Sequence, residues 1–284
     1  MKTDKKTYLF ILPGILGFMV FYLIPYLTSI PYMFFERSNG ILKFGFGNIV
    51  EIMSNQPFLK ALVNTALFLG LCIPLNIVLP MLLSLVVNKN KKTGKVFLIL
   101  FLLPIAVPSA AVVFFWKNFF AVNGFLNHLL AAVDISPVDW LNSDYALFAV
   151  IVIYIWKNAG YNVVLFLGGL LSIPQDYYEY AVVEGAGKWQ QFRYITFIYI
   201  QPALLIVFFM TIINSFKVFR EIYLIAGSYP HDSIYMLQHY LNNMFSALNY
   251  PKLTVASNLF TVMLCIITSI TLYLSRRIKE VTEV

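Results

Sequence analysis

Two groups of residues in this sequence are of the right type and spacing to do chemistry. The first is the run Gly185-Ala186-Gly187-Lys188, which has the form of the end of a Walker A phosphate loop. Such a loop needs an early glycine so that the backbone can wrap a phosphate, and a hydroxyl after the lysine to hold magnesium. Val182 stands where that first glycine belongs, and Trp189 follows the lysine. Nucleotide chemistry is therefore not expected on this chain. The second group consists of polar side chains embedded in long apolar stretches. Asn158 and Asn162 are spaced i, i+4, and Asn214, Lys217 and Glu221 are spaced i, i+3, i+7, each set on one helix face. Trp156 and Tyr161 offer flat apolar surfaces nearby. Polar groups at membrane depth are costly, so each is a candidate for a substrate path. Amides with aromatic rings suit a sugar, which presents hydroxyl edges and apolar C–H faces. The same asparagines equally serve as hydrogen-bonding glue between helices. Lys157 reads as snorkelling or as paired with an acid. Glu221 is the one acid placed inside a span, with Arg220 beside it in sequence.

Other catalytic patterns are missing. His128, His231 and His239 show no metal-ligand spacing, and no Ser/His/Asp set is evident. Cys72 and Cys265 both fall in apolar blocks and read as small buried hydrophobes.

The elements that must position these residues are dictated by composition. Of 284 residues, 60% are hydrophobic and only 12% are charged, about half the charge of a soluble domain. The apolar residues form blocks close to the roughly 20 residues that a bilayer-spanning helix requires. Six spans are predicted, at about 8–34, 60–87, 96–116, 145–171, 202–227 and 255–275, leaving no room for a separate soluble domain. The fold class is an all-α polytopic membrane protein, because backbone in lipid must satisfy its own hydrogen bonds. Pro25, Pro74, Pro104 and Pro108 predict kinks. The apolar run from Tyr8 to Phe34 is too long for a signal peptide and is expected to be a retained first helix.

The net charge of +7 is explained by its distribution rather than by nucleic acid. With the N-terminus in the cytoplasm, twelve Lys and Arg residues fall on inner segments (Lys2, Lys5, Lys6, Lys89, Lys91, Lys92, Lys95, Lys188, Arg193, Arg276, Arg277, Lys279) and five on outer ones (Arg37, Lys43, Lys60, Lys117, Lys252). That asymmetry predicts cytoplasmic termini. Phe119, Phe120, Trp140, Tyr235 and Tyr240 suit an outer interface.

The segment 172–201 is too long for a plain turn between two spans. Ser172 is expected to cap a short helix with Pro174 in its first turn, and Asp176 and Glu179 favour that positive end. Gly185-Ala186-Gly187 breaks the helix. A second amphipathic stretch follows, with Trp189, Phe192 and Ile195 on one face. The pattern fits either a helix lying on the membrane or a docking surface for a cytoplasmic partner.

This segment resembles the EAA loop of ABC importer permeases. The run Tyr178-Glu179-Tyr180-Ala181-Val182-Val183-Glu184-Gly185-Ala186, followed by Phe192, Ile195 and Thr196, matches that pattern without gaps. Three positions depart from it: Tyr180 replaces an alanine, Glu184 an aspartate, and Ile198 a proline. The likeness extends to Phe58–Thr65, to Leu103-Pro104, Pro108 and Trp116, to Gly124–Asn127, to Trp156–Asn158 with Leu167, Gly169-Leu170 and Ile173-Pro174, and to Ser215–Phe219 with Ile222-Tyr223, which together resemble carbohydrate-uptake permeases.

That resemblance implies a single permease domain of the type I importer fold, with 172–201 as a cytoplasmic coupling loop in which Glu179, Ala181, Glu184, Gly185 and Ala186 meet an ATPase. It implies a second homologous permease, two cytoplasmic ABC ATPase subunits that bind ATP and magnesium, and an extracellular or periplasmic sugar-binding protein. No cofactor is expected on this chain itself, which would be a transport subunit and not an enzyme. The competing reading is a secondary, ion-coupled carrier.

Overall fold

The computed structural model describes residues 5–38, 41–89 and 91–282, with side chains over 10–35, 43–89 and 96–273. The side chains of Lys2, Lys5, Lys6, Arg37, Lys91, Lys92, Lys95, Arg276, Arg277 and Lys279, which carry most of the charge asymmetry, lie outside the described residues. In chain order come α1 (Lys5–Phe18), a π-turn (Met19–Leu23), α2 (Ile24–Ser29) and a 3₁₀ turn (Ile30–Met33). A hairpin of β1 (Phe35–Ser38) and β2 (Ile41–Phe44) follows, then α3 (Gly47–Met53), α4 (Gln56–Lys89), α5 (Lys91–Ala106), α6 (Ser109–Phe119) and α7 (Phe125–Ala131). Next are α8 (Ala146–Leu171), α9 (Gln175–Val183), α10 (Lys188–Gln191), a π-turn (Phe192–Thr196), α11 (Phe197–Tyr199), α12 (Gln201–Ala226), α13 (Leu237–Ser246) and α14 (Tyr250–Thr282).

Among the described residues five helical segments are long and apolar enough to cross a membrane: Phe10–Met33, Gln56–Lys89, Ala146–Leu171, Gln201–Ala226 and Tyr250–Tyr273. The third expected span is not one helix. Val96–Ala106 and Ser109–Phe119 meet at a bend of 97°, and the count is six if they form one broken span. The cause is Pro108, which lacks an N–H and drives Val107 out of helical geometry; its own backbone is extended at φ −57°, ψ 139°. Pro25 acts more gently. The N–H of Ile24 bonds Met19 O, five residues back, so the helix ahead of Pro25 widens to a π-turn instead of breaking. Pro74 and Pro80 sit inside α4 without interrupting it.

Two compact units are distinguishable: Met1–Leu59 with Tyr240–Leu274, and Lys60–His239 with Ser275–Val284. In the first, Asn258 on α14 donates to Ser29 Oγ at 3.0 Å, Lys252 pairs with Glu51 at 2.8 Å, and the Phe58 and Tyr240 rings meet edge to face. The hairpin pairs Phe35 with Phe44 and Ser38 with Ile41, a strand element that the helical pattern did not foreshadow. Cys265 is exposed, unlike Cys72, so only one of the two cysteines is the buried hydrophobe expected.

The second unit holds the core. Phe68 and Cys72 of α4, Ala146, Val150 and Tyr154 of α8, and Val218 and Ile222 of α12 pack as one cluster. A second cluster joins Val112, Trp116 and Phe120 to Ala149 and Ile153. Phe120 and Tyr240 are each 1% exposed and so belong to packed interiors, not to an interfacial belt. Helix α8 lies tight against α5 at Gly160, where an added Cβ would stand 1.7 Å from the backbone oxygen of Phe101. Backbone cannot give way as a side-chain tip can. Gly160→Ala is therefore expected to lower stability by about 1–3 kcal/mol, the usual range for overpacking, read as a lower melting temperature in detergent; an unchanged melt would mean the two helices separate freely.

Candidate functional site

Two sites emerge in the Lys60–His239 unit. The first is the segment after α8. Ser172 ends α8 and does not begin α9: its hydroxyl donates to Gly169 O at 2.7 Å, and its N–H bonds the carbonyls of Gly169 and Leu170. The chain then turns at Pro174, whose extended backbone (φ −59°, ψ 135°) occupies the cap position of α9. The expected serine cap fails because the hydroxyl has a nearer acceptor in the last turn of the preceding helix.

Helix α9 carries Glu179 and Ala181 and stops after Val183. Gly185 adopts φ +79°. Its N–H bonds Val182 O at 3.0 Å, and Ala186 N–H reaches back to Ala181 O at 2.8 Å. These two bonds form a Schellman motif, which needs a left-handed residue at Gly185. Gly187 N–H then donates to Gln190 Oε1 at 2.7 Å, and Gln191 Nε2 to Ala186 O at 2.9 Å. Every link of the helix–turn–helix is thus hydrogen-bonded within itself. Tyr178 OH meets Thr196 Oγ1 at 2.8 Å, and Leu170, Ile173 and Ile200 pack with Tyr178 and Ile195 beneath the turn. The unit is anchored on one side only.

Its other side is open. Glu179, Glu184 and Gly185 are exposed, and Ala181 and Ala186 are partly covered. Tyr180, Val182, Val183, Trp189 and Tyr194 are all exposed, Val183 at 84%. Tyr180, which replaces a small residue of the EAA pattern, points away from the packed side at 70% exposure. The expected face of Trp189, Phe192 and Ile195 is split: Trp189 is 71% exposed while Ile195 packs inward. The π-turn at Phe192–Thr196 shifts the helical register there. Glu179 also borders a groove of about 850 Å³ together with Asn88, Lys89, Gln175 and Lys188.

The second site lies among α5, α6, α8 and α12. Lys157 on α8 forms an ion pair with Glu221 on α12. Ser109, at the start of α6, accepts from Lys157 Nζ at 3.0 Å and donates to Glu221 Oε1 at 2.9 Å. Lys157 is thus the partner that neutralises Glu221; Arg220, its sequence neighbour, makes no ion pair with it among the described residues. A cavity of about 120 Å³ opens here, bordered by Tyr154, Lys157, Asn158, Asn214, Lys217, Arg220 and Glu221. Four of the expected pathway residues, Asn158, Asn214, Lys217 and Glu221, therefore converge on one space.

The other three do not border it. Asn162 is 2% exposed; its amide donates to Asn76 O at 3.2 Å and approaches Thr211 Oγ1 at 3.5 Å. It joins α4, α8 and α12 in the packing role open to an intramembrane asparagine. Trp156 packs edge to face on Trp116 at 5.6 Å between centroids. Tyr161 is half-buried away from the cavity. Sequence reasoning missed Ser109 as a member of the ion-pair triad.

The loops that follow α7 and α12 are pinned by motif residues. Asn64 donates to Asp232 O at 2.6 Å and Tyr235 O at 3.0 Å, and Thr65 Oγ1 accepts from Leu237 N–H at 2.9 Å. Lys60 pairs with Asp232, and its ammonium holds the Asp232 carboxyl below the usual carboxylate range. Asn127 gathers its own loop, donating to Val138 O at 2.8 Å and accepting from Trp140 Nε1 at 3.0 Å.

Comparison with known proteins agrees with this anatomy. The lactose transport system permease protein LacF of Rhizobium radiobacter is 27% identical over 285 residues, covering 97% of this chain and 96% of LacF. The probable ABC transporter permease protein YesP of Bacillus subtilis is 31% identical over 284 residues, covering 96% and 90%. Both are transport subunits rather than enzymes. The fold matches a chain of a bacterial alginate ABC transporter, solved in complex with an alginate pentasaccharide-bound periplasmic protein, with a TM-score of 0.83, 24% identity and coverage of 97% and 95%. Residues 76–280 match the model of one family, and with most of its length inside that match the chain belongs to the binding-protein-dependent transport system inner membrane components, the permease subunits of ABC importers.

Proposed function

We propose that this permease forms half of the translocation pore of an ATP-driven sugar importer and receives its energy through the α9–α10 turn. Membership of the family supports transport through the membrane over the ion-coupled carrier. The observation that carries the coupling role is the one-sided anchoring of that turn: internally hydrogen-bonded, held by Tyr178 and Ile195 beneath, and open over Glu179, Tyr180, Val183 and Trp189. A rigid lever with an exposed apolar and acidic face suits a partner that pushes on it. The sugar class is supported by relatives named for lactose and for starch degradation products, and by the amides that border the cavity.

In this reading a second, homologous permease completes the pore, and two cytoplasmic ATPase subunits bind ATP and magnesium. A binding protein outside the cell delivers the substrate. Both termini and the α9–α10 turn face the cytoplasm of a bacterial cell, and Asn127 and Asp232 face outward. ATP binding closes the ATPase dimer, and the turn carries that closure to α8 and α12 as alternating access.

The test separates the energy source from the pore. The purified chain alone is expected to hydrolyse no ATP and to show no rise in melting temperature with millimolar ATP, because ligand binding stabilises a native state by mass action. Adding the ATPase that co-purifies with it should bring hydrolysis, and loaded binding protein should raise the rate further. An ATP-dependent shift in the isolated chain would contradict this division of labour. Uptake driven by an ion gradient in vesicles without ATPase would support the carrier instead.

A further inference from the structure

The cavity on α8 and α12 carries unbalanced positive charge. Three basic side chains border it, Lys157, Lys217 and Arg220, against one acid, Glu221. That acid is already paired with Lys157. Lys217 Nζ donates to Asn214 Oδ1 at 2.9 Å, a neutral partner. Arg220 makes no ion pair among the described residues. Both Lys217 and Arg220 are exposed on a helix apolar enough to span the membrane.

Their depth makes this arrangement informative. Arg220 precedes the end of α12, at Ala226, by about 9 Å at the rise of an α-helix, and Lys217 lies a turn deeper. Cations at such depth are costly in lipid and are met by water, by opposite charge or by snorkelling; here both border a cavity with polar walls. Water in a pore meets the solvation need, and a neutral sugar can accept hydrogen bonds from the two cations but leaves their charge unbalanced. An anion gains a great deal: the planar guanidinium matches a carboxylate with two parallel hydrogen bonds, and the ammonium adds a point charge. Asn158 and Asn214 stand beside them to meet hydroxyl groups.

We infer that the saccharide passing this site is anionic, a carboxylated sugar whose acid group is received by Lys217 and Arg220. The inference rests on the sugar-importer reading. Its test uses the complex that co-purifies with a tag on this chain from native membranes, in nanodiscs and without binding protein. Trigalacturonate is expected to bind at least about tenfold more tightly than maltotriose, which is one charge-assisted contact in free energy. The preference should shrink as salt is raised, because exposed charges are screened. Lys217→Gln with Arg220→Gln should abolish the preference. Equal binding of the two saccharides by the wild-type complex overturns the inference and leaves the importer intact, as does a preference that survives the double variant. Binding of neither saccharide overturns it as well, and whether an ATPase is present in the complex then decides separately if the importer reading stands. If the double variant fails to assemble, the salt titration of the wild type still decides: a preference insensitive to salt excludes the cationic pair as its cause.

Discussion

Replacing Glu179 by lysine is expected to lower substrate-stimulated ATP hydrolysis by the assembled importer at least about tenfold, since losing one partner of a charged pair at an interface is worth roughly 2–5 kcal/mol. The chain itself should fold normally. Glu179 is exposed and makes no hydrogen bond or ion pair within the described chain, so charge reversal there breaks nothing internal. The turn that presents it depends on Gly185, Gln190 and Gln191, which the substitution leaves alone. Loss of coupling with intact folding would place the defect on the docking face. Gly185→Ala provides a graded comparison. Its Cβ would meet open space, but φ of +79° imposes a left-handed backbone costing about 1–2 kcal/mol for a residue with a side chain. A smaller deficit is expected, because the Schellman turn would loosen without changing the charge of the face. Normal ATPase association and normal stimulation in Glu179→Lys would remove α9 from the docking surface.

The long apolar helices and the glycine turn were legible in the sequence because they follow from local rules, whereas the 97° break in the third expected span was not. Hydropathy sets span length, and a Gly-Ala-Gly run after a short helix signals a helix stop. What was not legible depended on which of several local options tertiary structure selects. Ser172 can cap a following helix or close a preceding one, and the acceptor at Gly169 decided it. Asn158 and Asn162 share a helix face by spacing, yet one borders the cavity and the other is enclosed by Asn76 and Thr211. A helix face has no fixed neighbour until other helices pack on it. The Lys157–Glu221 pair lay nearer to prediction. A lysine in one span and a lone acid in another are natural partners, because each alone is costly in lipid. The sequence carried no comparable signal for Ser109, since a serine hydroxyl is commonplace and its role arises only where the 97° break sets the start of α6 beside α12.

Breaking that pair should have the largest effect on stability. Lys157→Met leaves Glu221 charged with only Ser109 to meet it, and Glu221 is 5% exposed. Removing one member of a buried pair typically costs about 3–5 kcal/mol, because the remaining charge is left without compensation. Glu221→Gln strands Lys157 in the same way, though its side chain is more accessible at 19% and can gain some relief from water in the cavity. The double variant Lys157→Met with Glu221→Gln removes both charges and is expected to recover most of the loss, since an uncharged pair of similar volume is often as stable as the ion pair it replaces. Ser109→Ala should cost less, about 1 kcal/mol per hydrogen bond lost. Melting temperatures in detergent for the wild type, the two single variants and the double variant form the cycle that isolates the coupling. If the two single losses simply add in the double variant, the pair contributes nothing as a pair, and α6, α8 and α12 are held together by apolar packing alone. If the double variant melts near the wild type but its transport is lost, the pair acts in the pathway, keeping a charge balance that leaves Lys217 and Arg220 as the free cations of the cavity.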